Sequence, residues 1–303
     1  MGFQLGLVGL ESVTVALYAI GDVHGCLKPL RALLDKIKFH PGRDRLLFVG
    51  DLINRGPDTL GVLRFVQDLG DAATALMGNH EAWALGGLHG LETPVFQAYA
   101  KELRDAPDRD TLTRFIQTFP LSWHDTELNA FAVHAGLVPG WSQQTASQHA
   151  RELERLFAEG KRIPELFRGM FPILPERDNG SKALSQHRFD ISVMTRIRLC
   201  HPDGRPMWPA NVRKVREEQG ENPYLLPPSA DPQFKPWYEM RQDRDESRMI
   251  YGHWAVARMT IRNNSFGLDD GCVYGGSLVA MRLDHPDWPI FRVPCPQYVV
   301  PGK

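Results

Sequence analysis

The sequence predicts an α/β fold with a βαβαβ core, and three observations point to it. Short apolar runs recur at Val15 to Ile20, Arg45 to Val49 and Ala72 to Met77, and segments of helical periodicity lie between them. The first two runs end at Gly-Asp, as buried parallel strands do where they deliver residues to a crevice. Leu27, Leu30, Leu34 and Ile37 recur at three-to-four spacing, so Leu27 to Phe39 lays one helical face on a sheet. In the second helix Asp58 is the N-cap, Leu60, Leu63 and Val66 form the stripe, and Gly70 is the stop. Right-handed crossovers then bring the carboxyl ends of the strands together. Further strands are expected at Ala130 to His134, Met249 to Gly252 and Ser277 to Leu283, the last set closing an antiparallel or second sheet.

At 303 residues the chain has room for one α/β domain with an insertion, and 43% hydrophobic residues suffice for a substantial core. A net charge of -1 gives no global field toward DNA or a membrane, so an anionic ligand must be held by local charge. Cys26, Cys200, Cys272 and Cys295 lack the short paired spacing of a zinc ribbon or redox motif and read as free thiols in a reducing cytoplasm. Residues 1–16 carry Glu11 and no basic lead, and read as a non-export extension. No apolar run approaches the roughly 20 residues of a spanning helix, and no protein partner is predicted. Between His134 and His253 an amphipathic helix, Gln143 to Ala158, precedes a tract holding Pro202, Pro206, Pro209, Pro223, Pro227, Pro228, Pro232 and Pro236. Proline at that density excludes a long helix or interior strand and predicts a structured cap. The expected organisation is an extension (1–16), a core (17–140 and 249–303) and an inserted helical, Pro-rich cap (141–248).

Five clusters stand at expected strand ends: Gly21-Asp22-Val23-His24-Gly25, Gly50-Asp51, Gly78-Asn79-His80-Glu81, His134-Ala135-Gly136 and Gly252-His253. Asp22 and His24 can turn toward one ion, Asp51 can bridge two, and Asn79, His134 and His253 complete a second shell. A mixed oxygen and nitrogen set suits Mn²⁺, Fe²⁺ or Zn²⁺ better than Ca²⁺. Two such ions bridged by a carboxylate and a hydroxide clamp an in-line attack on phosphorus. Singly, Asp22 reads as a helix N-cap and His134 or His253 as a core histidine; their coincidence after successive strands favours the metal reading.

Through GDVHG, GDLINRG, GNHE, HAG and GH, in that order, the chain resembles the phosphoprotein-phosphatase branch of the metallophosphoesterases. More narrowly it resembles the bacterial symmetrical bis(5'-nucleosyl)-tetraphosphatases, through VMTRIRLCHPDG (193–204), FKPWY (234–238), YGHWA (251–255) and LDDGCVYGGSL (268–278). The resemblance implies a metallophosphoesterase-type β-sandwich flanked by helices, with an inserted cap. It also implies hydrolysis of diadenosine tetraphosphate to two ADP by a hydroxide activated by two divalent ions, with Mn²⁺ expected and Co²⁺ or another transition metal as alternatives. Asp22, His24 and Asp51 fall on its first metal, Asp51, Asn79, His134 and His253 on its second, His80 on its general acid and Arg55 on its phosphate-binding arginine. Arg55 follows Asp51 on one loop, where a planar guanidinium suits a phosphoryl group; a salt bridge to Asp58 is the plainer alternative. Glu81 either orients His80 or caps the following helix.

Thr195-Arg196-Ile197-Arg198 places two guanidinium groups on alternate positions, which on an extended segment share one face and could line a polyphosphate groove. Trp237, Trp254 and Tyr274 are each either base-stacking or core aromatics, and Cys26 and Cys272 read as small buried hydrophobes. The superfamily's protein phosphatases usually carry Asp before the phosphate-binding Arg; here that place is Asn54. Asn accepts a hydrogen bond from the acid histidine without favouring imidazolium, which fits a nucleoside polyphosphate leaving group better than an alkoxide. The competing readings are a phosphoprotein phosphatase, a hydrolase of nucleoside-tetraphosphate RNA 5' ends, and a non-catalytic nucleotide sensor.

Overall fold

A computed structural model of the chain describes residues 15–168, 170, 182–208, 234–241 and 247–300. The extension as far as Thr14 and Pro209, Pro223, Pro227, Pro228 and Pro232 lie outside these residues. The expected βαβαβ unit is β1 (Leu17–Ile20), α1 (Leu27–Lys36), β2 (Arg45–Phe48), α2 (Thr59–Asp68) and β3 (Ala73–Ala75). Its strands pair in parallel, Ile20 opposite Phe48 and Phe48 opposite Ala75. Asp58 caps α2, accepting from the Gly61 amide at 2.8 Å.

Two five-stranded sheets face each other. The first has the order β13-β12-β1-β2-β3, with β12 (Ser277–Arg282) antiparallel to β1 and to β13 (Ile290–Pro294). The second has the order β10-β11-β9-β5-β4, in which β5 (Ala130–Val133), β9 (Arg248–Tyr251) and β11 (Ser265–Gly267) run parallel, with β4 (Ser122–Asp125) and β10 (Thr260–Arg262) antiparallel at the edges. Side chains alternate across the strands. Ala19, Leu47, Val49, Ala130, Ala132, Ile250, Val279 and Met281 fill the layer between the sheets, while Ile20, Phe48, Phe131, Val133 and Tyr251 belong to a larger cluster shared with the helices. Both faces are thus covered, which is why these strands read as near-continuous apolar runs.

Between β3 and β4 run α3 (Asn79–Leu88), α4 (Pro94–Arg104) and α5 (Arg109–Gln117). Between β5 and β9 run α6 (Gln143–Glu159), α7 (Ile163–Phe167), α8 (Lys182–Arg196) and a small sheet of β6 (Leu199–Cys200), β7 (Pro206–Met207) and β8 (Lys235–Pro236). Pro206 and Pro236 sit on its two outer strands, where a missing amide is tolerated. Ala146, Leu153, Phe157, Leu166 and Val193 of these helices join the same cluster as the strands' outer faces.

The Arg196 and Arg198 reading is corrected here: the segment is not extended, because Arg196 is the last residue of α8 and only Leu199 enters a strand. Ile191, Val193, Met194 and Ile197 are all buried. Every residue from Asp190 to Ile197, Arg196 among them, is buried, and that helical packing outranks the two-residue spacing of the arginines. Among the described residues no helix is long and apolar enough to cross a membrane.

Leu47 lies between the sheets at 1% exposure, whereas Ile261 on an edge strand is 48% exposed. Leu47→Ala should cost about 2–5 kcal/mol in urea unfolding through the cavity it leaves, and Ile261→Ala less than about 0.5 kcal/mol.

Candidate metal and phosphate site

The parallel strands of both sheets deliver the site at their carboxyl ends. Asp22 and His24 follow β1, Asp51 follows β2, Asn79 and His80 open α3 just after β3, His134 follows β5, and His253 follows β9. The turns are sharp enough to force unusual backbone: His24 (φ 46), Asp51 (φ 49), Asn54 (φ 65), Arg55 (φ 69) and His253 (φ 69) are all left-handed. Such conformations cost non-glycine residues energy and cluster where side chains must be aimed. Glycines admit the close approaches. A Cβ on Gly78 would collide with the Asp51 carboxylate, and one on Gly252 with that of Asp22.

Asp51 is the hub, buried at 2% exposure. Its Oδ2 lies 3.7 Å from His24 Nε2 and 3.8 Å from His80 Nε2, and its Oδ1 lies 3.4 Å from His134 Nε2. Asn79 Oδ1 is 3.3 Å from His134 Nε2, and Asp22 Oδ2 is 3.9 Å from His24 Nε2. Two groups have ligand atoms mutually within 4.8 Å: His24, Asp51 and His80, and Asp51, His134 and His253. Asp22 stands slightly outside them, with both carboxylate oxygens accepting from the His253 amide at 3.0 and 3.1 Å.

The tautomers follow from the backbone. His24 Nδ1 lies 3.1 Å from the Ile53 carbonyl and His134 Nδ1 lies 2.9 Å from the Val49 carbonyl. A carbonyl oxygen only accepts, so each Nδ1 carries a proton and a neutral ring turns the Nε2 lone pair toward the Asp51 carboxylate. Acceptor facing acceptor in a buried space calls for a cation, and a backbone carbonyl on the other nitrogen is the usual support of a metal-bound histidine. His253 Nε2 is buried without a hydrogen-bond partner. The donor set therefore fits divalent cations: Asp22, His24 and Asp51 could hold one, and Asp51, Asn79, His134 and His253 a second.

Burial alone would raise the Asp51 carboxyl, but the imidazoles around it, His134 foremost, hold it well below the usual carboxylate range. Asp51 in turn outweighs burial and raises His134, so without an ion these two buried groups share the proton whose place a cation would take. Burial pushes His24 down to about 4, and His80 and His253 also fall well below the usual imidazole range.

His80 lies against Asn54 as the sequence implied, Nδ1 to Oδ1 at 3.2 Å. The amide orientation is fixed, because Asn54 Nδ2 donates to the Tyr99 carbonyl at 3.0 Å. His80 Nδ1 therefore donates, and its Nε2 accepts from Arg55 Nε at 3.4 Å. Arg55 is exposed at the mouth, its guanidinium 5.8 Å from the Tyr274 ring centre. Asp58 is engaged instead in capping α2.

Glu81 settles into neither expected role alone. It completes the capping of α3 on Gly78, but its Oε2 also accepts the Asp51 amide at 3.0 Å and its Oε1 the Leu52 and Ile53 amides at 2.8 and 3.2 Å. The carboxylate thus ties the Asp51 loop to the loop carrying Asn79.

Arg196 lies over the Trp83 ring at 4.9 Å, and Arg198 Nη2 donates to the His253 carbonyl at 3.2 Å. Trp83 and Tyr99, which the sequence reading passed over, wall His80, with Tyr99 edge-on at 4.7 Å. Trp237 and Trp254 are buried aromatic core, while Tyr274 is half-buried beside Arg55. All four cysteines are free and buried.

The profile of the calcineurin-like phosphoesterases matches residues 16–201. The chain belongs to that family. It is 36% identical over 273 residues to a symmetrical bis(5'-nucleosyl)-tetraphosphatase of Azotobacter vinelandii, covering 89% of this chain and 94% of the relative. It is 35% identical over 282 residues to the protein of the same name from Aeromonas salmonicida, covering 92% and 97%. A crystal structure described as a candidate diadenosine tetraphosphatase superposes with a TM-score of 0.60 at 26% identity, covering 94% of this chain and 96% of that one. This calcineurin-like phosphoesterase thus shares its family's sheets and the length of its relatives.

Glu81→Gln keeps the shape but replaces one carboxylate oxygen by a donor facing backbone amides. It should destabilise the protein by about 1–3 kcal/mol, read from the urea midpoint, and Glu81→Asp, too short to span both loops, should not restore stability.

Proposed function

We propose that the chain hydrolyses dinucleoside tetraphosphates, diadenosine tetraphosphate in particular, to two nucleoside diphosphates, with two divalent cations at the Asp51 centre. The observation that carries the reading is the set of imidazole Nε2 atoms turned on a buried carboxylate with their Nδ1 protons held by backbone carbonyls. The names of the relatives support the substrate. Bound there, such cations would act as Lewis acids on the attacking water and on the phosphoryl oxygens. The water oxygen bonds to one inner phosphorus, the bond from that phosphorus to the oxygen shared with the other inner phosphorus breaks, the water's proton passes to solvent, and ADP departs with the electron pair.

The chain's own residues set the terms of that departure. Arg55, exposed and permanently charged, takes a phosphoryl oxygen in its planar fork. His80, neutral and donating to Asn54, faces the centre with a lone pair rather than a proton. That arrangement gives little help to an alkoxide and suffices for a nucleotide phosphate, itself a stabilised anion, which favours anhydride hydrolysis over protein dephosphorylation. Arg198, bonded to the His253 carbonyl, and Arg196, buried over Trp83, lie beside the centre, which supports a role for them on outlying phosphates. The four free thiols suit a cytoplasmic setting, and the oxygen and nitrogen donors suit Mn²⁺ or Co²⁺ over Mg²⁺.

Chromatography of products from diadenosine tetraphosphate tests the reading: metal-stripped protein should be inactive, Mn²⁺ should restore release of two ADP, and ATP plus AMP would overturn it. RNA bearing a 5' nucleoside tetraphosphate, offered in parallel, extends the assay to capped ends. Asp51→Asn should lose more activity at saturating Mn²⁺ than Asn79→Ala, because it removes the charge common to both cation positions. Asn54→Asp would set a charge against His80 Nδ1 while losing the donor to the Tyr99 carbonyl. The ratio of alkyl phosphomonoesterase to tetraphosphatase turnover should rise in this variant even as its melting temperature falls.

A further inference from the structure

The strand-end rule has one more member. β11 runs parallel to β9 with Gly267 opposite Tyr251, and the Leu268 amide continues the ladder to the Tyr251 carbonyl at 2.8 Å. Two residues further, Asp269 leaves the carboxyl end of its strand as Asp22, Asp51 and His134 leave theirs. The approach to the first sheet is equally close, since a Cβ on Gly21 would collide with the Leu268 carbonyl. Asp269 follows directly on that contact, and it is 5% exposed.

Resting on the cation reading above, we propose that Asp269 is a positioning residue of the cation site, its buried charge favouring the ion on the Asp22 side. Like Asp22, Asp269 lies outside the groups whose ligand atoms are within 4.8 Å of one another, and its Oδ1 accepts the Gly271 amide at 3.0 Å, which holds its loop in place. Asp22, Asp51, Glu81 and Asp269 are all buried acids at one end of the sandwich. Buried carboxylates so grouped require countercharge. Asp270, the sequence neighbour of Asp269, faces elsewhere, accepting the Met259 amide at 3.3 Å and lying 4.0 Å from Arg292 Nη1.

The test is Mn²⁺ titration of metal-stripped full-length protein by calorimetry, without substrate. Wild type should bind two ions. Asp269→Asn, which keeps the acceptor for the Gly271 amide, should weaken one of them 10- to 100-fold, the range for outer partners of metal ligands. Asp269→Glu should recover part of the loss, and Asp270→Asn should leave both affinities within twofold of wild type. Unchanged affinities in Asp269→Asn would overturn the inference while leaving the cation reading intact. Equal weakening at both ions together with a lowered metal-free melting temperature would overturn it too, assigning Asp269 to the fold of its loop. A wild type that binds no ion would defeat the cation reading itself.

Discussion

Asp51 carries its charge in a buried position, where an uncompensated carboxylate costs several kcal/mol, and the surrounding chain is built to answer that charge. Its backbone is turned into the left-handed region, its amide is taken by Glu81, and its Oδ1 accepts the His80 amide at 3.0 Å. Three imidazoles from three different loops then converge on its oxygens. None of these contacts is local in sequence, so the geometry at Asp51 depends on both sheets being in register.

That register is what the parallel strands provide. β1 and β2 in one sheet and β5, β9 and β11 in the other end at the same level, and the apolar layer between the sheets keeps the two sets of loops face to face. Insertions elsewhere leave this arrangement alone. The long excursion between β5 and β9 returns to the same edge of the centre, where Arg196 and Arg198 close on Trp83 and the His253 carbonyl.

Much of this was legible in the residues themselves. Glycine-flanked Asp, Asn and His after apolar runs located the strand ends, and the single substitution at Asn54 announced the hydrogen bond that His80 makes. What escaped reading did so for physical reasons. The partners of Glu81 are backbone amides about 30 positions away, which have no residue-type signature. Arg196 and Arg198 were misread because a two-residue spacing was weighed above the helical packing of the buried residues beside them. Asp269 follows a strand of three residues, too short to stand out as a period.

The amide of His253 reaches back 231 residues to the carboxylate of Asp22. During synthesis at roughly 5–20 residues per second, that interval lasts roughly 10–50 seconds. β12, which pairs with β1 in the first sheet, is made later still. A growing chain therefore holds Asp22, Asp51 and Asn79 before the strands that complete their surroundings exist. The order of translation thus leaves closure of the site to the last fifth of the polypeptide, from β9 onward.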